Sequence, residues 1–223
     1  MTATPLLAHF LVPWGIAPLG AGTGVAACWL YGRGVVARHR TGGHTGDGMA
    51  VLAFVAGVVM MVGALSPPLE NLALWLLSVH MVQHVLLLFA PLLIMAGRPG
   101  TMILTGLPPQ LRGKVAGRLR RIEETAPVRV LLQRPVAWGV LVAAVAVWHL
   151  PGLYEAAASS DLVHSAEHAS FLLAGALFWM ALLGRGRARE ASYGGAILSL
   201  FTLALVGTAF GAILTFSSRP WYA

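Results

Sequence analysis

Apolar residues in this chain come in long, nearly unbroken runs. Six of them, Trp14–Val36, Ala50–Ser66, Leu72–Ala96, Pro135–Leu153, Leu162–Leu183 and Gly194–Phe216, approach or exceed what a bilayer core requires, about 20 residues of helix. The second run is short, and Met49 and Pro67 can extend it. No period-two alternation competes with these runs. A segment in hydrocarbon must also satisfy its own backbone hydrogen bonds, so the pattern predicts helices. The expected fold is an all-α integral membrane protein, a six-helix transmembrane bundle forming one domain over residues 1–223.

Polar positions between the runs then set the orientation. Arg33 lies at the end of the first run with Arg38 and Arg40 just after it, and Arg185, Arg187 and Arg189 follow the fifth. The loop after the third carries Arg98, Arg112, Lys114, Arg118, Arg120, Arg121, Arg129 and Arg134. The alternate loops offer Glu70, Glu155 and Asp161, and of fifteen lysines and arginines only Arg219 falls on their side. Cations concentrate on the cytoplasmic side of membrane proteins, so both termini are expected outside. Trp14, Trp75, Trp148 and Trp221 fall near the outer ends, as an interfacial belt would.

One segment departs from the run pattern. Within residues 108–125, Leu111, Val115, Leu119 and Ile122 repeat at helical spacing among Arg112, Lys114, Arg118, Arg120 and Arg121. A basic amphipathic helix of this kind is expected on the cytoplasmic membrane surface, favouring anionic lipids.

Composition agrees with the membrane reading. The chain is 57% hydrophobic and 10% charged, against roughly 25% charged in a soluble domain. Its formal net charge of +7 lies in loops between apolar spans, not on one soluble face, so nucleic-acid binding is not expected. A single cysteine, Cys28, excludes an internal disulfide and a multi-cysteine zinc site. The N-terminus lacks the basic region and cleavage site of a secretory signal, so the first span is expected to be retained. Gly20-Ala21-Gly22-Thr23-Gly24 lacks the preceding strand and the following Lys-Ser/Thr of a phosphate loop. Close helix packing explains it better, as it does Gly207 and Gly211.

The candidate chemistry lies in the histidines. His80 and His84, then His164 and His168, are spaced four apart, which puts each pair on one helix face. Ionisable side chains at membrane depth are costly and face a bundle interior or cavity, which makes them functional candidates. Counting inward from Leu72, His80 lies about 12 Å and His84 about 18 Å below the outer edge; His164 lies near that edge and His168 about 9 Å down. His149 falls about a turn below the outer end of the fourth span. These five imidazoles share the outer half of the bundle, whereas His39 and His44 belong to an inner loop and His9 to the outside.

Imidazole ligates zinc, copper, iron and nickel, so the residues alone leave the metal open. Met60, Met61 and Met81 fall at similar depth, where thioethers would favour copper(I), but ordinary packing is the better explanation of each methionine. One histidine from each of two helices would also suit a haem. His164-Ser165-Ala166-Glu167-His168 spells the inverted zinc-protease motif, with Glu167 as general base. His80-Met81-Val82-Gln83-His84 keeps the spacing without the acid, and no acidic residue follows at outer depth as a third ligand. Glu167 is therefore expected to orient a ligating imidazole by hydrogen bonding. No internal repeat or charged path supports a transporter.

Several tracts together resemble the polytopic CtaG family of cytochrome c oxidase assembly factors. They are Ser66-Pro67-Pro68-Leu69, His80-Met-Val-Gln-His84, Ala90-Pro91-Leu92-Leu93, Gly97-Arg98-Pro99, Trp148-His149-Leu150-Pro151 with Leu153-Tyr154, His164-x-x-Glu167-His168 and Phe178-Trp179. The resemblance implies a multi-pass protein of the bacterial cytoplasmic membrane that is not an enzyme. It would serve maturation of a caa-type terminal oxidase through its copper centres, with oxidase subunits and membrane lipids as partners. The matching positions are His80, His84, His149, His164 and His168, with Glu167 adjacent. The resemblance also implies an outer acidic segment and a seventh span beyond Arg219-Pro220-Trp221-Tyr222-Ala223, where this chain stops. The expectation is a copper site holding copper(I), with haem and zinc as the alternatives.

Overall fold

The computed structural model describes residues 17–40, 42, 47–73, 75–183 and 193–216. His9, His44, Trp14, Trp221, Arg185, Arg187, Arg189 and Arg219 lie outside the described residues, as do the seven residues from 217 onward. Every regular element among the described residues is a helix, and the chain divides into two compact units, Met1–Thr125 and Ala126–Ala223.

The first unit runs α1 Ala17–Arg40, α2 Asp47–Ala64, α3 Pro67–Ala73, α4 Leu77–Ala96, α5 Pro99–Gly106 and α6 Pro109–Glu123. The second runs α7 Ala126–Leu131, α8 Arg134–Trp148, α9 Pro151–Ser159, α10 Asp161–Leu183 and α11 Tyr193–Phe216. Proline occupies the first helical turn of α5, α6, α8 and α9. Its missing N–H falls there on a group that has no intrahelical partner anyway.

Four described helices are long and apolar enough to cross a membrane: α2, α4, α10 and Tyr193–Ile213 of α11. A fifth follows if α8 and α9, bent by 72° at their junction, make one broken span. Length and composition thus account for four or five of the six expected spans among the described residues. The helix α1 occupies the place of the first, with Arg33, Arg38 and Arg40 in its second half.

Two boundaries differ from the continuous runs of the sequence. The expected span Leu72–Ala96 is divided into α3 and α4, with Leu76 extended (φ −128°, ψ 106°) immediately before α4. The expected span Pro135–Leu153 stops at Trp148. Leu150 is extended (φ −67°, ψ 134°) because the ring of Pro151 disfavours helical geometry in the residue before it.

In the first unit, α2 packs on α4 and α1 packs on α5. Tyr31 of α1 stacks on Phe54 of α2 with ring centroids 3.7 Å apart and planes 4° from parallel. Met102 of α5 completes this buried cluster. The Tyr31 hydroxyl donates to the carbonyl of Gly97 at 2.8 Å and also lies 3.3 Å from that of Ala50. An ion pair between Arg38 and Asp47, 3.1 Å at its shortest, ties α1 to the start of α2. In the second unit, α10 packs on α8 and α9, and α11 on α8. The buried face of α10 is Glu167, His168, Phe171, Ala174, Gly175, Phe178, Trp179 and Ala181. These residues recur at intervals of three and four, so a single stripe faces inward.

Candidate functional site

The histidine pairs occupy the same positions in their two helices. His80 and His84 are the fourth and eighth residues of α4, and His164 and His168 the fourth and eighth of α10. At 1.5 Å per residue each pair lies about 4.5 Å and about 10.5 Å from the first residue of its helix. Because α4 begins at Leu77 after an extended residue, the first pair lies nearer its helix start than a count from Leu72 gives. The amide of His80 donates to Leu76 and that of His164 to Ser160, so each first histidine closes the opening turn.

Within each pair the rings lie close together. The centroids of His80 and His84 are 4.1 Å apart at 68°, and those of His164 and His168 are 4.2 Å apart at 56°. His80, His84 and His168 are buried and His164 is half-buried. The Nε2 atoms of His80, His164 and His168 and both ring nitrogens of His84 are shut off from solvent. Burying so many polar rings in apolar helices is costly unless the nitrogens are used.

His149 follows α8 at the junction with α9, where Pro151 stops the helix from continuing. Its Nδ1 lies 2.7 Å from the carbonyl oxygen of Val145. A carbonyl only accepts, so Nδ1 carries a proton and Nε2 is the nitrogen left to present a lone pair. A backbone carbonyl fixing the tautomer in this way is the usual support of a ligating imidazole. The ring packs edge-on against Phe210 of α11 at 4.8 Å and at a tilt against Phe171 of α10 at 6.5 Å.

Glu167, next to His168, is 1% exposed. It stands within electrostatic reach of Tyr154 on α9. A buried carboxylate on the same helix face as a histidine pair suits an orienting role.

Gln83 is the residue whose importance the sequence pattern understated. It reads there only as a non-acidic counterpart of Glu167, whereas in the structure it is completely buried. Its Nε2 donates to the carbonyl of Ala64 at 2.7 Å, tying the last residue of α2 to the histidine turn of α4. Its position one residue before His84 mirrors that of Glu167 before His168, and that was the available signal.

Adjacent imidazoles with ring nitrogens withdrawn from solvent can bind a soft or borderline metal ion and release it by stepwise ligand exchange. Each unit supplies such nitrogens on its own: two from α4 in the first, and three from His149, His164 and His168 in the second.

No curated protein and no solved structure matches the chain. The family described as cytochrome c oxidase caa3 assembly factor (CtaG) does match, over residues 29–223. That range contains both histidine pairs, His149 and Glu167, and covers all but the first part of the chain. The chain therefore belongs to the CtaG family of cytochrome c oxidase caa3 assembly factors.

Proposed function

We propose that this protein binds copper, as copper(I), through His80, His84, His149, His164 and His168, and passes it to a subunit of the oxidase during assembly. One observation carries the reading. Two histidine pairs repeat at the same register of two apolar helices, with their ring nitrogens withdrawn from solvent. The assembly role of the family supports an oxidase as recipient. Copper is cargo here, so no covalent chemistry and no enzymatic turnover is required. Affinity need only hold the ion until ligands of the recipient replace the imidazoles one at a time. Glu167 serves by orienting a ligating ring, as carboxylates beside metal-bound histidines do.

The membrane setting of the proposal is the bacterial cytoplasmic membrane, with six spans, both termini outside and the histidines near the outer face. The distribution of lysine and arginine supports this orientation.

The test is copper uptake by the full chain purified under reducing conditions, with a metal analysis and an absorption spectrum of the same sample. Copper uptake that falls in the His80→Ala/His84→Ala double variant, while the helical circular dichroism persists, is the expected result. No copper uptake by the unaltered chain overturns the reading. A Soret band would assign the histidines to haem, and tightly held zinc with hydrolysis abolished by Glu167→Gln would assign them to an enzyme.

A further inference from the structure

Helix α6 carries five cations, Arg112, Lys114, Arg118, Arg120 and Arg121, and no buried residue. Two of the five are engaged within the protein. The Arg112 guanidinium donates to the carbonyls of Leu104 at 3.0 Å and Thr105 at 2.9 Å, satisfying the end of α5. Arg120 faces Glu124 at 3.8 Å. Lys114, Arg118 and Arg121 have no hydrogen bond or ion pair with any described residue.

These three cations follow a spacing of four and three residues, which at about 100° per residue gathers them into an arc of about 60° on one side of the helix. Gly113 and Gly117 lie beside them, and a Cβ added to either glycine would meet nothing within 4 Å. The five residues line a shallow cavity of about 440 Å³. On the other edge of the cationic row runs the apolar stripe Leu111, Val115, Leu119 and Ile122, exposed by 48, 36, 47 and 49%.

We propose that Gly113, Lys114, Gly117, Arg118 and Arg121 form a binding site for the phosphate headgroup of an anionic phospholipid, whose acyl chains lie along the apolar stripe. Two features select this occupant. The cationic row complements a phosphodiester, and the missing β-carbons let it approach the helix closely. The neighbouring stripe calls for hydrocarbon at the same time, which a free phosphate or a nucleic acid backbone would leave in water. The site lies wholly on α6 and does not depend on the histidine chemistry.

The test reconstitutes the full chain in bilayer discs of phosphatidylcholine containing a minor fraction of phosphatidylglycerol and measures the phosphatidylglycerol retained after delipidation. Arg118→Gln/Arg121→Gln is compared with the charge-matched Arg120→Gln/Arg129→Gln, with circular dichroism to verify folding. Cations in contact with anionic lipid contribute roughly 1 kcal/mol each, so the first pair should lower retention by about tenfold or more, whereas Arg120, paired with Glu124, and Arg129, outside α6, should lower it by less than about threefold. Equal losses in the two variants would reduce the effect to general surface charge and overturn the site. Displacement of the lipid by millimolar inorganic phosphate, with the apolar stripe still accessible to solvent, would overturn the lipid as occupant.

Discussion

Tyr31 shows how a single side chain serves two interactions in the first unit. Its ring supplies the stack on Phe54, and its one hydroxyl proton goes to Gly97 across a separation of 66 residues. Tyr31→Phe keeps the stack and strands the Gly97 carbonyl. A hydrogen bond between such groups is worth about 1 kcal/mol net, so thermal unfolding in detergent should move down by a few degrees with the helical signal intact. No change in the midpoint would mean that the carbonyl finds another donor. His149 is the other residue whose detail matters, because the Val145 carbonyl leaves only one ring nitrogen to act as ligand. The copper-binding prediction for the His80→Ala/His84→Ala variant belongs to this scale as well. It removes two of the proposed ligands while leaving α4 apolar enough to remain helical.

Among the helices of the first unit, close approach is set by glycine. A Cβ on Gly34 of α1 would run into the backbone carbonyl of Met102 on α5, and one on Gly106 into that of Leu30. On the α2–α4 side, a Cβ on Gly57 would sit 2.7 Å from the Ile94 nitrogen. These obstacles are backbone atoms, which cannot swing aside as a flexible side chain can. Gly34→Ala should therefore destabilise the unit by roughly 1–3 kcal/mol through overpacking. Gly32→Ala, two residues along the same helix with nothing within 4 Å, should be neutral or stabilising, by up to about 1 kcal/mol from helix propensity. Comparable loss of thermal stability in both variants would count against packing as the cause. Small residues that let backbones touch are the common means of helix association in membranes, where lipid offers no hydrophobic drive. Helix α11 is the opposite case. None of the Tyr193–Ile213 stretch is buried, and its exposed Ile197, Leu198, Phe201 and Leu205 suit hydrocarbon contact.

For the whole molecule, the proposed orientation rests on charge and is open to a direct check. In a Cys28→Ser background, Ala158→Cys should react with a membrane-impermeant maleimide on intact spheroplasts. Thr125→Cys should react only after permeabilisation. Labelling of both before permeabilisation would sink the proposed topology. Much at this scale was legible in the sequence. Long apolar runs without alternation mark helices because a helix satisfies its whole backbone in hydrocarbon within one segment, and five of the six runs coincide with helices, or in one case a bent helix pair, that pass as spans. The amphipathic stretch 108–125 coincides with α6, since its period is local and needs no partner to be seen. The histidine pairs were legible because ionisable residues stand out against apolar surroundings.

The sequence by itself determined the helical class, the membrane setting, the pairing of the histidines at four-residue spacing and the family. All of these rest on local composition, periodicity or ordered motifs. Tertiary structure alone decided that α4 begins at Leu77, which brings His80 and His84 into the same register as His164 and His168. It also decided that α8 ends at Trp148, with the His149 ring fixed by Val145, and that Gln83 ties α4 to Ala64. The physical reason is common to these. Hydropathy measures how apolar a segment is and is blind to where a backbone breaks inside an apolar run. Which carbonyl a buried polar side chain reaches depends on how helices distant in sequence pack together.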